Sequence, residues 1–361
     1  MNKNITIFGV GKLGLCFALN LEKAGFNILG VDVSKEYVDS LNSKSINSSE
    51  QGVNELLRAS KNFKACMDVE EGLAHSDTLF VLVATPSLSN GKYDHSQILS
   101  VVNSIMKYGK QTTRKDLIIG CTVMPGFCNE LQIKLNDYGY NVCYNPEFIA
   151  QGTIIRDQLS PDLVLIGSNC QNSFNNIKKI YEAMVINNPN YVLMSPLSAE
   201  ICKISLNCFV TTKIAFTNMI GDLASKVGAE PQKILDAIGS DSRVGPKCMK
   251  YGFGYGGPCF PRDNRALGIY AKENSCSINI SDATDLSNQN HLKFMIDSFV
   301  GDKITIDGVT YKPESTIIEE SQKLYYAVAL AKKNIKVTIK DKEEVITKLK
   351  SIYGELFTYE N

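Results

Sequence analysis

A glycine-rich segment in the second half of the chain carries residues that could do covalent chemistry. It reads Gly252-Phe-Gly-Tyr-Gly-Gly-Pro-Cys-Phe-Pro-Arg-Asp263, so Cys259 follows four glycines and a carboxylate follows Cys259. Glycine has no Cβ, which lets another group approach the main chain closely. Pro261 suits the first turn of a helix, and a thiol just before a helix is biased towards the nucleophilic thiolate. The alternative is a tight turn with a buried, unreactive cysteine.

The start of the chain contains a phosphate-binding pattern in a suitable context. Residues 5–10 predict a strand, and Gly9, Gly11 and Gly14 form G-x-G-x-x-G across the turn into a helix. Such glycines let a pyrophosphate reach the N–H groups of a helix N-terminus. Asp32 follows at the spacing expected for an acid that accepts a ribose 2′-hydroxyl, and it would repel a 2′-phosphate. The pattern therefore predicts NAD rather than NADP; the alternative is a turn without a ligand.

A lysine and an amide one helical turn apart form a second candidate pair. Lys203 and Asn207 lie in a stretch with no breaker between Pro196 and Gly228, which predicts one long helix over 196–227. Side chains four residues apart share a helix face, so this charged donor and amide could stabilise an oxyanion together. The alternative is a solvated lysine beside a surface asparagine. The helix is too long for one small domain, which predicts that it bridges two domains and offers a face to a second subunit.

Strand-like and helical stretches alternate over the first 194 residues, which predicts a doubly wound, mostly parallel sheet. Ligands then gather at the carboxyl ends of strands, where Thr85 and Thr122 stand. We predict a Rossmann-type domain over 1–194, a central helical region over 195–298 and a short C-terminal α/β domain over 299–361. The strands are predicted at 5–10, 27–31, 78–84, 117–122, 141–144, 163–167, 190–194, 304–309 and 335–339, and helices include 96–108, 172–186, 231–238 and 320–333.

The composition narrows the function classes. The formal net charge is +0, which gives no electrostatic case for a nucleic-acid or anionic-membrane partner. The 11 cysteines show no C-x-x-C pair, which favours a reducing compartment, and the three histidines make a metal site unexpected. The early first strand leaves no room for a signal peptide, and polar residues interrupt the apolar stretch at 201–221. We therefore expect a cytoplasmic protein without a membrane span.

Several separated motifs together resemble the UDP-glucose/GDP-mannose 6-dehydrogenase family over residues 1 to about 313. The glycine-rich cysteine segment is similar to the family's catalytic motif, and the stretch from 199 to 207 is similar to its long-helix motif. Five further segments match in the same way, at 120–126, 145–153, 161–167, 241–247 and 308–313.

The resemblance implies that a nucleotide sugar is oxidised from C6 alcohol to carboxylate with two NAD⁺. Cys259 would trap the aldehyde as a thiohemiacetal and then form a thioester that water hydrolyses. The other catalytic residues implied are Lys203, Asn207, Asp263, Glu147 and Thr122. Cofactor contacts are implied at Gly9, Gly11, Gly14, Asp32, Lys35, Thr85 and Thr122. Substrate contacts are implied at Phe148, Lys203, Asn207, Arg243, Tyr251, Gly256 and Lys312. A homodimer is implied as well, with Arg243 reaching the neighbouring site.

The sequence departs from the family pattern at three places. Gln151 stands where many members have a second Glu, Glu319 stands where an Arg is usual, and the chain stops at Asn361, short of the family's last strands. UDP-glucose is the expected substrate, because Cys-Phe-Pro-Arg-Asp is closer to the glucose branch. A UDP-N-acetylhexosamine or GDP-mannose dehydrogenase, a binding protein with lost catalysis, and a one-step alcohol dehydrogenase remain as alternatives.

Overall fold

The computed structural model of the chain describes residues 3–313 and 315–360. These residues fall into two compact units, one that ends at Lys203 and one that begins at Ile204. The domain boundaries expected from the sequence lie elsewhere and stay a prediction.

The first unit alternates strands with helices, as the sequence predicts. Its strands are β1 (Asn4–Phe8), β2 (Asn27–Val31), β3 (Phe63–Cys66), β4 (Thr78–Val81), β5 (Lys115–Ile119), β6 (Tyr140–Tyr144), β7 (Leu163–Gly167) and β8 (Asn190–Met194). Its helices are α1 (Lys12–Lys23), α2 (Lys35–Asn42), α3 (Val53–Ala59), α4 (Val69–His75), α5 (Ser96–Tyr108), α6 (Phe127–Leu135), α7 (Ile154–Leu159) and α8 (Gln171–Met184).

The eight strands form one doubly wound sheet in the order β3-β2-β1-β4-β5-β6-β7-β8. All neighbouring pairs are parallel except β6 and β7, which meet antiparallel at Tyr144 and Gly167. The strand order reverses between β1 and β4, where sheets of this kind bind ligands beyond the carboxyl ends of their strands. The predicted fold class is confirmed, and the sheet places the dinucleotide turn after β1 at this reversal.

Apolar side chains from both faces of the sheet build the core of the first unit. Ile5 and Ile7 of β1 pack with α1 on one face, whereas Phe8 packs with α5 and α6 on the other. Successive side chains of a strand point to opposite faces, so a strand covered on both sides reads as an uninterrupted apolar run.

The predicted long helix is present as α9 (Pro196–Lys226), which continues past the boundary between the two units. Ser195 Oγ accepts a hydrogen bond from Ser198 N at 3.2 Å and so caps its first turn, with Pro196 in the first helical position. A helix of 31 residues is about 46 Å long at 1.5 Å per residue.

The second unit adds helices and a small parallel sheet in the order β11-β10-β9. Leu324 and Leu330 of α13 pack against Val337 and Ile339 of β10 in its core. The remaining helices are α10 (Pro231–Ser240), α11 (Phe260–Glu273), α12 (Asn279–Asp297), α13 (Gln322–Lys332) and α14 (Glu343–Tyr353), and the strands are β9 (Lys303–Asp307), β10 (Lys336–Lys340) and β11 (Thr358–Glu360).

The sequence patterns miss several elements and overextend four strands. The predicted strands 5–10, 78–84, 117–122 and 304–309 end earlier, at Phe8, Val81, Ile119 and Asp307. Strands β3 and β11 have only 4 and 3 residues, too few for a period-two signal, and α14 lay outside the stretches considered. Helix α12 is missed for another reason: its buried face is polar, with Ser281, Thr284, Asn288 and His291.

Candidate active site

Three glycines shape the dinucleotide turn. Gly9 and Gly14 have no room for a side chain, whereas Gly11 leaves open space for a ligand. Gly9 has φ +87°, which favours glycine, and a Cβ on Gly14 would come 2.0 Å from the Gly9 carbonyl oxygen. Gly11 occupies the N-cap of α1, and no side chain caps that helix. A Cβ built on Gly11 would meet nothing within 4 Å. The first N–H groups of α1 are therefore available to an anion.

Asp32, at the end of β2, faces the same turn. Its carboxylate accepts from Val10 N at 3.2 Å and from Ser34 N at 3.3 Å, and the side chain is half-buried. Tyr37 OH donates to the Val10 carbonyl at 3.0 Å and secures the turn from the other side. The glycine turn fits the pyrophosphate of NAD, and the Asp32 carboxylate fits its ribose. Lys35 is exposed and pairs with Asp39 at 2.6 Å within α2.

The side chains of Thr85, His95 and Glu200 hold the segment after β5. Thr85 Oγ1 donates to the Thr122 carbonyl at 2.9 Å, which joins the two loops predicted to meet at this edge of the sheet. His95 Nε2 accepts from Met124 N at 3.2 Å, and its ring lies 3.8 Å from that of Phe127. Burial lowers the pKa of His95 to about 4, so this acceptor is neutral near pH 7.

Glu200, on α9, fixes the end of that segment. Its carboxylate is fully buried and accepts from Gly126 N at 2.6 Å and from Cys128 N at 2.8 Å. These donors belong to the first turn of α6, so Glu200 supplies a cap from a distant helix. Burial raises the pKa of Glu200.

The loop from 145 to 153 carries Glu147. Asn145 donates to the Leu165 carbonyl at 3.0 Å and accepts from Tyr181 OH at 2.9 Å. Tyr181 OH also lies 3.0 Å from Glu147 Oε1, so one hydroxyl faces both groups. Burial raises the pKa of Glu147 to about 7, against the opposing effects of Tyr181 and Lys203. This carboxyl group can therefore exchange a proton near neutral pH.

Lys203 belongs with this loop. Its ammonium donates to the main-chain carbonyl of Glu147 at 2.7 Å and lies 4.5 Å from the centre of the Phe148 ring. The side chain is buried, so the alternative of a solvated lysine is wrong. The contact brings Lys203, from one motif of the family resemblance, together with Glu147 and Phe148, from another.

In the second unit, Asn207 and Asp263 form one hydrogen-bonded pair. Asn207 Nδ2 donates to Asp263 Oδ2 at 2.6 Å, and Asp263 is 1% exposed. Arg262 Nε lies 3.5 Å from the other carboxylate oxygen. The amide of Asn207 is thus oriented by a buried carboxylate rather than left on the surface.

Cys259 lies one turn before Asp263, at the N-cap of α11. The Cys259 carbonyl accepts from Asp263 N at 2.8 Å, which closes the first turn, and Pro261 stands within that turn as predicted. The side chain is exposed, so the alternative of a buried cysteine is wrong. A thiol at this position faces the positive end of the helix dipole, which favours its thiolate.

The glycines before Cys259 allow close packing inside the protein itself. A Cβ on Gly254 would lie 2.1 Å from Asn288 Oδ1, and one on Gly256 would lie 2.1 Å from the Glu320 carbonyl oxygen. Gly257 has φ +81° and its Cβ would lie 2.3 Å from the Tyr311 ring. At these positions the close approach expected from the sequence is made by neighbouring segments of the same unit.

The polar face of α12 holds the glycine-rich segment. Asn288 accepts from Tyr255 N at 3.1 Å and donates to the Tyr255 carbonyl at 2.9 Å. His291 lies 2.6 Å from the Gly252 carbonyl through Nε2 and 2.9 Å from the Asp222 carboxylate through Nδ1. These contacts fix the main chain of the segment through directional hydrogen bonds.

The remaining predicted substrate residues lie on the second unit without a common cluster. Tyr251 OH donates to Asp222 at 2.8 Å, and exposed Arg243 pairs with Asp241 at 2.6 Å. Lys312 Nζ lies 5.9 Å from the centre of the Tyr311 ring. Glu319, which stands where the family usually has an Arg, is exposed.

Sequence reasoning missed the side chains that position these groups. Each acts across a long stretch of chain and belongs to no local motif, so residue spacing gives no signal for it. These positioning residues are Glu50, Tyr181, Glu200, Asp222, Asn288 and His291.

Comparison with known sequences decides the family. The sequence model described as the UDP-glucose/GDP-mannose dehydrogenase family, NAD binding domain, matches residues 3–185, and the model of the family's central domain matches residues 197–290. The chain belongs to the UDP-glucose/GDP-mannose dehydrogenase family. It is therefore an NAD-dependent oxidoreductase of the nucleotide-sugar dehydrogenase type, and the predicted NAD cofactor is confirmed.

Similar proteins within the family differ in substrate. A UDP-glucose 6-dehydrogenase of Rickettsia bellii is 30% identical over 324 residues, which cover 86% of this chain and 74% of the relative. A UDP-glucose dehydrogenase structure from Pyrobaculum islandicum has a TM-score of 0.89 at 25% identity and covers 99% of this chain and 86% of that one. A GDP-mannose dehydrogenase from Pseudomonas aeruginosa has a TM-score of 0.63 at 26% identity, with coverage of 100% and 88%.

Among the described residues, no helix is both long and apolar enough to cross a membrane. The cytoplasmic location stays a prediction.

Proposed function

We propose that this chain is a UDP-glucose 6-dehydrogenase that converts the C6 alcohol to the carboxylate of UDP-glucuronate with two NAD⁺. The observation that carries the proposal is the exposed Cys259 at the start of α11, one turn before the buried Asp263–Asn207 pair. A simple alcohol dehydrogenase has no use for a nucleophile at that position. The Rickettsia and Pyrobaculum relatives, both named for UDP-glucose, support the choice of sugar.

The first oxidation needs removal of the C6 hydroxyl proton while a hydride leaves C6. NAD, held at the glycine turn and Asp32, supplies the hydride acceptor. Asn207, oriented by Asp263, donates a hydrogen bond to the oxygen as negative charge develops. The ammonium of Lys203 serves the same oxygen, and Asp263 takes up the proton through a water. The product of this step is the C6 aldehyde.

The second oxidation proceeds through a bond to sulfur. The Cys259 thiolate adds to the aldehyde carbon, and the carbonyl oxygen takes up a proton to give a thiohemiacetal. Loss of the remaining C6 hydride to a second NAD⁺ and of the hydroxyl proton leaves a thioester. Covalent attachment keeps the reactive aldehyde from escaping between the two oxidations.

Hydrolysis of the thioester completes the reaction. Glu147 removes a proton from the attacking water, which adds to the thioester carbon and releases the carboxylate and the Cys259 thiol. Its pKa of about 7 suits this role, because a base works best when its pKa lies near the working pH. Thr122 helps to place the water. Gln151 brings no second carboxylate from this loop, and Asp263 is proposed to help Glu147 and Thr122 manage the water.

Substrate contacts are proposed at the residues selected by the family motifs. Phe148 and Tyr251 offer aromatic faces, Arg243 and Lys312 offer cations for the diphosphate, and Gly256 offers main-chain groups. The protein is proposed to work as a homodimer through α9, which bears exposed Phe209 and Leu223.

A panel of nucleotide sugars tests the proposal. We expect UDP-glucose to be turned over with two NADH per uronate, and GDP-mannose and UDP-N-acetylhexosamines to react at least about 100-fold more slowly in kcat/KM, the discrimination that a few lost polar contacts provide. A preference for another nucleotide sugar would overturn the assignment of UDP-glucose as the substrate. Release of one NADH per product would overturn the two-step oxidation.

A further inference from the structure

Glu50 is a buried carboxylate to which the proposed reaction gives no role. It lies shortly before α3 and is 3% exposed. Its two oxygens face Gly152 N at 2.7 and 2.9 Å, and Oε2 also faces Ile154 N at 3.4 Å. On its other side, Lys12 Nζ lies 3.8 Å from Oε1. Burying a carboxylate is costly unless it is paired and hydrogen-bonded, and these partners meet that need.

The partners of Glu50 belong to two functional segments of the first unit. Gly152 and Ile154 end the loop that carries Glu147, and Gly152 has φ +93°, so the main chain turns sharply there. Lys12 is the first residue of α1, directly after the dinucleotide turn. One side chain therefore contacts the backbone beside the catalytic carboxylate and the residue at the start of the NAD-binding helix.

The loop depends on such an anchor because residues 145–153 lie in neither a helix nor a strand. Its first half is held by Asn145 and by Lys203 on the Glu147 carbonyl. Its second half has a local contact, since Asp157 accepts from Ala150 N at 3.1 Å. Glu50 supplies its link to a distant part of the unit, and without it the buried N–H of Ile154 loses its acceptor.

We propose that Glu50 is a positioning residue that fixes the loop from 145 to 153, and with it Glu147, relative to the start of α1. The role of Glu147 in hydrolysis rests on the function proposed above. The consequence is specific: loosening the loop slows thioester hydrolysis, whereas the dinucleotide turn keeps its glycines and Asp32 and still binds NAD.

The test compares Glu50→Ala and Glu50→Gln with Glu22→Gln. Glu22 is a matched control, because its Oε1 accepts from two backbone donors, Lys61 N at 2.8 Å and Asn62 N at 3.0 Å, in a loop that carries no proposed site residue. We expect kcat to fall about 100-fold in Glu50→Ala, the size of effect that a small misplacement of a catalytic group produces. Glu50→Gln keeps one acceptor oxygen and should retain more activity, whereas Glu22→Gln should match the unaltered enzyme.

Two further measurements separate positioning from a loss of fold. Intact-mass analysis of enzyme quenched during turnover should show more Cys259 adduct in both Glu50 variants, and the Kd for NAD should change less than about threefold, since no phosphate or ribose contact is removed. Hydrogen exchange should quicken at Gly152 and Ile154 in the Glu50 variants only.

The outcomes distinguish this inference from the proposed function. Unchanged exchange at these amides, or a fall in kcat without adduct, would overturn the role of Glu50. If the unaltered enzyme forms no Cys259 adduct at all, the proposed mechanism fails, while faster exchange confined to the Glu50 variants would still establish the anchor itself.

Discussion

Cys259 differs from the buried cysteines of the first unit in where it lies. Burial raises the pKa of Cys16, Cys121 and Cys143 to about 12, so these thiols stay protonated and unreactive. Cys259 is exposed at a helix start. The difference supports the proposal that Cys259, rather than one of these buried thiols, acts as the nucleophile.

Replacing Cys259 by Ser should stop turnover without preventing binding. A serine hydroxyl supplies no thiolate fraction at neutral pH, so kcat should fall about 10³-fold or more, while the Kd values for NAD and substrate change little. Steady-state NADH release and intact mass of quenched enzyme measure this. Cys276→Ser, at another exposed cysteine, is the control. Near-normal turnover of Cys259→Ser would show that the cysteine is structural.

Replacing Tyr181 by Phe should move the acidic limb of the kcat profile to higher pH. The Tyr181 hydroxyl stabilises the Glu147 carboxylate and lowers its pKa, so removing it raises a pKa that is already about 7. A hydrogen bond to a charged group is worth about 1.5–3 kcal/mol and one pKa unit about 1.4 kcal/mol, which predicts a shift of roughly one to two units.

The control for that shift is Tyr191→Phe. The buried Tyr191 hydroxyl has no hydrogen-bond partner among the described residues, so its removal should leave the profile in place. An acidic limb that stays fixed in Tyr181→Phe would mean that another group controls it.

Among the helices and strands, the sequence predicted those features that depend on residues close together in the chain. Gly9, Gly11 and Gly14 followed by Asp32 predicted the turn and its cofactor, and Pro261 predicted where α11 begins. Asn288 and Glu50 could not be found in this way, because their partners lie far along the chain and each depends on how elements pack. Helix α12 was missed because its fully buried positions are polar.

The His95 contact makes the stability of the first unit sensitive to acid. The pKa of His95 falls from 6.5 to about 4 on burial, so protons bind the unfolded chain more readily in this range. The contribution of neutral His95 to the free energy of unfolding is complete above about pH 6.5 and is lost progressively as the pH falls towards 4. Replacing His95 by Gln, which keeps an acceptor for Met124 N, should flatten this part of the pH dependence.

Urea unfolding between pH 4 and 7 measures the effect. The stabilities of the two proteins should differ more with each step towards pH 4 than they do at pH 7. His75→Gln serves as a control, since that histidine is only half-buried, at the end of α4. Parallel curves for His95→Gln and the unaltered protein would contradict the assignment.

For the whole molecule, α9 predicts self-association. Phe209, Phe216 and Leu223 recur every seven residues and are 72%, 43% and 59% exposed. Such spacing puts them along one face of the helix, and exposed apolar patches of this kind usually mark interfaces. Phe209→Asp should raise the dimer dissociation constant at least about tenfold, as expected for an aromatic anchor at an interface.

Light scattering over a dilution series measures this constant. Ile133→Asp is the matched control, because Ile133 is a similarly exposed apolar residue, 81% exposed, on a different helix, α6. An unaltered protein that stays monomeric and fully active at assay concentration would rule out the dimer.

The polar inner face of α12 limits which substitutions this helix can accept during evolution. An apolar core tolerates exchanges that keep its volume, but Asn288 and His291 hold the glycine-rich segment through directional bonds to Tyr255 and Gly252. No side chain of equal size offers the same donors and acceptors. We therefore expect the polar inner face of α12 to change more slowly than an apolar helix face would, since the identity of its side chains, and not merely their size, holds the segment that leads to Cys259.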